Sequence, residues 1–166
     1  QFAEAGQDLC MAYATSPGHG SIGFGCLNSG GWQAIAKEAI YDFRLVGTAD
    51  GWMYLMYHSH ASDSLEIVTA YKGQSWTPVK GVADASGTSA DRDDPTVDTK
   101  ESGWQLEADT HGKTAYGVYY FFRNSYHKGI RVVELEGGAL KSEPYSIVRE
   151  KFFNTGWHPR FTITAN

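Results

Sequence analysis

Two stretches of the chain match one another at a fixed offset, and that match restricts the fold more than any other feature. The first is Trp52-Met53-Tyr54-Leu55-Met56-Tyr57-His58, then Leu65-Glu66-Ile67-Val68. The second is Gly117-Val118-Tyr119-Tyr120-Phe121-Phe122-Arg123, then Ile130-Arg131-Val132-Val133. A shift of 65 positions puts Tyr54 on Tyr119, Met56 on Phe121, Leu65 on Ile130 and Ile67 on Val132 without a gap. Each copy is a run of aromatic and large apolar residues, a short polar turn and a β-branched run. That is a hairpin signature, and its recurrence predicts an internal structural repeat.

The flanking sequence extends each hairpin to four strands. Strands are expected over 40–46, 52–59, 65–71 and 75–80, with turns at 47–51, 60–64 and 72–74. This is a first meander over 40–81. Residues 32–39 fit either a helical stripe (Trp32, Ile35, Ala36, Ala39) or a strand. A second meander over 101–151 has expected strands at 104–108, 116–123, 130–135 and 145–151, with turns at 109–113, 124–129 and 136–138. A last strand is expected at 161–164. Residues 82–100 replace aromatics with Ser, Thr, Asp, Ala and Gly, which reads as a long acidic loop. Residues 1–31 read as an N-terminal segment with one or two short strands, around 10–14 and 22–27. The whole chain, 1–166, is read as one all-β domain of repeated four-stranded antiparallel meanders. A β-sandwich or a barrel is the alternative.

Composition narrows the function. Twenty-three aromatic residues favour strands and recognition surfaces. The net charge of −5 leaves no basic stripe for phosphate, so no nucleic-acid partner is expected. No apolar run approaches the roughly 20 residues that span a bilayer. Gln1 follows no Met, which reads as a processed, secreted chain that has lost a signal peptide. Cys10 and Cys26, the only cysteines, are then expected to form one bridge.

The second repeat carries Asp94-Pro95, Gly112-Lys113, Tyr119-Tyr120-Phe121-Phe122 and the run Gly129 to Leu135. In these it resembles blades of the β-propeller glycosidases that cleave arabinan- and xylan-type polysaccharides. It is similar also to blades of fungal and bacterial propeller lectins. The resemblance implies propeller-like blades and carbohydrate as the ligand class. The chain is too short for the five-bladed ring of those glycosidases, so a small ring, a ring completed by a second copy, and a sandwich of two meanders stay open.

Three groups of residues offer chemistry. Asp91, Asp93 and Asp94 crowd one loop, where carboxylates can bind Ca²⁺ or work as a glycosidase pair with Glu66, Glu107 or Glu134. In a hydrolase the expected carboxylates are Asp93 or Asp94 with Glu66 or Glu134. The bland reading is a solvated loop. His58 and His60 lie two apart on a strand and so point to one face. They are the candidate metal ligands, with His111 or His127 to complete a site, or else they line a polar groove. Trp52, Trp76, Trp104, Tyr54 and Tyr119 offer flat rings on which sugars stack, although most aromatics in a small β domain are core. His58 and Arg123 are equivalent under the repeat and are expected at an exposed rim.

The reading that follows is a secreted, extracellular carbohydrate-binding or cell-surface recognition protein that acts without catalysis, uses no cofactor and can form a homo-oligomer. A small secreted glycoside hydrolase is the alternative, and a toxin or effector with a protein partner is a third.

Overall fold

The computed structural model describes residues 1–15, 21–27, 33–36, 40–59, 64–72, 74–80, 101–124 and 127–150. All regular elements among them are strands, in three antiparallel sheets. The first sheet holds β1 (Phe2–Ala5), β2 (Asp8–Ala14), β3 (Ile22–Cys26) and β4 (Gln33–Ala36) in chain order. The second holds β5 (Ile40–Gly47), β6 (Trp52–Ser59), β7 (Ser64–Tyr71) and β8 (Thr77–Pro78). The third holds β9 (Glu101–His111), β10 (Thr114–Asn124), β11 (His127–Glu136) and β12 (Ala139–Leu140), with β13 (Tyr145–Glu150) also paired to β11.

The second sheet is the middle layer. Side chains alternate across a strand, and β6 is apolar at nearly every position, so it feeds two cores. Met53, Leu55 and Tyr57 pack with Val68 against Ala5, Cys10, Ala12, Ile22 and Phe24 of the first sheet. Tyr54 and Met56 pack with Leu65 and Ile67 against Leu106, Ala115, Tyr119, Val133 and Leu135 of the third. A strand covered on both faces needs no polar alternation, which is why the sequence of β6 reads as a continuous apolar run.

Both meanders expected from the sequence are present, and the N-terminal segment is a third one. Residues 32–39, open between helix and strand, contribute β4. Two turns are tighter than expected. β9 continues through Asp109 and Thr110, which pair with Tyr116 and Ala115, and closes on β10 through Gly112-Lys113. Gly112 has φ +60, and a positive φ at the first central position of a two-residue hairpin favours glycine. Likewise β11 begins at His127, so Lys128 and Gly129 belong to the strand. The expected strand at 161–164 lies outside the described residues.

The ungapped repeat needs a correction. In the first hairpin Tyr54 faces Thr69 and Ile67 faces Met56. Superposition at one offset would set Tyr119 opposite Glu134, but Tyr119 faces Arg131 and Val132 faces Val118. The ladder is displaced by three residues because the second hairpin closes at Asn124 and His127, past a bulge, whereas the first closes at Ser59 and Ser64. An odd displacement exchanges the faces of a strand. Ile67 therefore points into the core, its supposed equivalent Val132 points away, and Val133 takes the inward place.

Cys10 and Cys26 lie directly opposite one another on β2 and β3, with Cα atoms 4.0 Å apart, and are joined by a disulfide. The Leu27 N–H donates to the Leu9 carbonyl at 2.9 Å. This makes Leu9 and Leu27 the hydrogen-bonded pair and leaves the cysteines at the closer, non-bonded position.

The second and third sheets are locked at one end by Gly138. Its N–H donates to the Tyr54 hydroxyl at 3.0 Å, and its φ of +81 turns the chain beneath the ring of Trp52. Burial raises the Tyr54 pKa, against the opposing effect of that hydrogen bond. Tyr54→Phe is expected to lower stability by about 1 kcal/mol, because it strands a half-buried backbone donor. Urea unfolding measures it, and an unchanged midpoint would mean that the bond contributes nothing.

Candidate functional site

The sheets come closest along their first strands. β1 lies beside β5, and β5 beside β9. Small residues allow this approach: Gly47 has its Cα against the Glu4 backbone, where no side chain would fit. Side-chain and turn bonds tie the three edges together. The Gln1 amide donates to the Phe43 carbonyl at 2.9 Å and accepts from the Leu45 N–H at 3.0 Å, so it stands in for one more residue of a strand. The Ala49 N–H donates to the Gly112 carbonyl at 3.0 Å.

A hollow of about 590 Å³ follows this seam, lined by Phe2, Glu4, Val46, Thr48, Ala108 and Thr110 among others. A second, of about 560 Å³, adjoins it at Gly6 and Ala49 and is lined by Gln7, Asp8, Asp50 and Lys72. Thr48 shapes the boundary. Its hydroxyl donates to Asp50 at 2.6 Å and accepts from the Trp52 N–H at 3.2 Å, which holds the β5–β6 turn closed. Farther along the seam Arg44 reaches across to Glu107 at 3.3 Å and back to Asp42 at 2.5 Å. Burial alone would disfavour its cation. The hydrogen bond to Glu107 and the charges of both carboxylates outweigh that and hold its pKa above the usual value.

The residues singled out from the sequence are dispersed. His58 is a correction: it is fully buried, on the β6 face toward the third sheet, because the apolar strand stays covered to its end. Tyr54 and Tyr119 are 0% exposed and belong to the core between the second and third sheets. Trp52 packs against that core and tilts on Tyr71, with centroids 4.9 Å apart. Trp76 meets Phe24 edge-on at 4.7 Å beside the other core. Trp104 is paired with Tyr120 in the ladder, and Arg123 lies near the end of β10; the side chains of both lie outside the described residues. His60, His127, Asp91, Asp93 and Asp94 have no described side chain.

Glu66 and Glu134 cannot share one site. Glu66 is opposite Tyr57 and so turns toward the first sheet. Glu134 is opposite Tyr116 on the outer face of the third sheet, where it accepts the Tyr145 hydroxyl at 2.8 Å. Two sheets stand between them, each layer about 10 Å thick. Among the described residues the one cluster with metal-ligand geometry is Asp8, Cys10 and Cys26, and its two sulfurs are joined to each other.

The sequence reading missed the seam. Asp42 and Arg44 entered it only as the polar half of an alternating strand, and Glu4, Thr48 and Thr110 gave no motif at all. The chain matches no protein-family model and none of the curated proteins.

Proposed function

We propose that this chain is a carbohydrate-binding or cell-surface recognition protein that works without catalysis. The observation that carries the reading is the pair of adjoining hollows at the seam of the three first strands. Their linings offer acceptors in Glu4, Asp8 and Asp50 and donors in Gln7 and Lys72, beside apolar surface from Phe2 and Val46. Mixed donors and acceptors over apolar walls suit a neutral, hydroxyl-rich ligand, and concave sites of several hundred Å³ are the usual size for small ligands. Adjacent first strands and face-to-face meanders also support a propeller-like reading of the sheets as blades. The disulfide supports secretion, since such bonds persist in oxidising compartments.

A glycan-array screen followed by calorimetry tests the proposal. Saturable binding of a neutral glycan with no product released is expected, and Glu4→Ala should weaken it about tenfold if that exposed carboxylate accepts from a ligand hydroxyl. Release of reducing ends would favour a hydrolase instead. Absence of glycan binding together with capture of a protein partner would favour an effector.

A further inference from the structure

We infer that Asp8, Cys10 and Cys26 become the ligands of a thiophilic divalent metal ion when the bridge between the cysteines is reduced. In the oxidised chain the two sulfurs are bonded to each other and hold no ion. The donor atoms are nevertheless already gathered. The Asp8 carboxylate and the two sulfurs lie within 4.8 Å of one another. Asp8 and Cys10 are two apart on β2, so they share the inner face of the first sheet. Cys26 stands opposite Cys10 on β3 and packs against the same core. Asp8 and Cys26 are half-buried, and Asp8 lines the second hollow, which gives an ion a path to the buried Cys10.

The strands, and not the bridge alone, hold this arrangement. Met11 opposite Gly25 continues the ladder on one side of the cysteines, and the 2.9 Å backbone bond between Leu27 and Leu9 closes it on the other. Ala12, Ile22 and Phe24 anchor the same two strands in the core. Breaking the S–S bond therefore leaves two thiols side by side, on Cα atoms 4.0 Å apart. Zinc–sulfur bonds are about 2.3 Å long, so two sulfurs on one tetrahedral ion stand about 3.8 Å apart. Side-chain rotation from directly opposed positions reaches that spacing. Two thiolates favour Zn²⁺ or its analogue Cd²⁺ over Mg²⁺ and Ca²⁺, and water takes the remaining position. The chemistry balances in two steps. A dithiol reductant supplies two electrons and two protons, its own sulfurs joining as the protein's S–S bond breaks. The ion then displaces both thiol protons. Because the site exists only in the folded chain, binding adds to the stability of the reduced protein. The inference stands apart from the carbohydrate reading, since its readout is the metal and not a glycan.

Titration of the intact, reduced chain with Cd²⁺ alone is the test. The reductant is a water-soluble phosphine, which takes its oxygen from water and leaves the two hydrogens on the sulfurs, so no competing thiol is present. A thiolate-to-metal charge-transfer band that saturates at one ion per chain is expected, together with a higher urea midpoint. The oxidised chain should show neither. Asp8→Asn should weaken binding by about tenfold or more, the scale of loss carried even by outer-shell partners of metal ligands. Cys26→Ser should remove most of the band. Absence of the band in the reduced wild type would overturn the proposal, as would saturation at one ion per two chains. Equal affinity in Asp8→Asn, or a band without a rise in the midpoint, would refute the three-donor site. If reduction unfolds the chain, Cd²⁺ should restore its circular dichroism spectrum, and Cd²⁺ bound without that recovery would overturn the proposal as well.

Discussion

Gly47→Ala is expected to be among the most damaging single substitutions in this chain, with a loss of about 3 kcal/mol of folding stability. A Cβ built on Gly47 falls on the carbonyl oxygen of Glu4, stands 2.6 Å from its carbonyl carbon and 3.0 Å from the Ala5 nitrogen. These are backbone atoms, so no rotamer change can relieve the contact. β1 would have to move off β5, and with it the anchoring of Gln1 to Phe43 and Leu45. The control is Gly112→Ala. Gly112 has φ +60 but nothing within 4 Å of its Cβ position, so that change should cost only about 1 kcal/mol in backbone strain. Urea unfolding of the two variants separates the effects. Equal losses would show that the seam tolerates spreading and that Gly47 does not hold it.

Removing the disulfide is the second large effect. Double replacement of Cys10 and Cys26 by Ala should destabilise by about 3 kcal/mol in the chain-entropy model for a loop of this length. Cys10 is 1% exposed and packs in the core between the first and second sheets, so lost packing adds to the entropic loss. The expected result is a lower urea midpoint in the variant and, in the unreduced wild type, no thiol that titrates on denaturation. Two titratable thiols in the wild type, or a variant as stable as the wild type, would contradict this account. The loss should fall mainly on the first sheet. Signals from Phe24 and Trp76 should therefore change at lower denaturant than the environment of Tyr119.

Much of the architecture was legible because the physics behind it is local. The apolar run of β6 and the Gly-containing turns at Gly51 and Gly137-Gly138 mark strand ends with short-range chemistry. The bridge between Cys10 and Cys26 was readable from an isolated pair. Register was not. Tyr119 looks like Tyr54 and Val132 like Ile67, yet a bulge near Asn124 displaces the second ladder by three residues. No run of apolar letters carries that information, since β10, like β6, is apolar on both faces over most of its length. His58 failed for a related reason. Its polarity suggested the end of a covered strand, but cover is set by which sheet lies opposite. The seam was invisible because it joins Glu4, Thr48 and Thr110, more than 40 residues apart at each step in sequence. Each is ordinary until three strand edges meet.

The middle position of the second sheet has a consequence for how the molecule comes apart. Packing runs from the first sheet to the second and from the second to the third, and each core belongs to one pair. Such an arrangement behaves as a short chain of coupled units, in which stability is a sum of unit and nearest-neighbour contributions. An outer unit can detach while the other core is intact, whereas the middle unit cannot open without losing both cores. The disulfide lies wholly within an outer unit, so it lowers the freedom of the layer that has only one neighbour to hold it. Resistance to opening is thus graded across the molecule, with β6 and β7 as its most protected part.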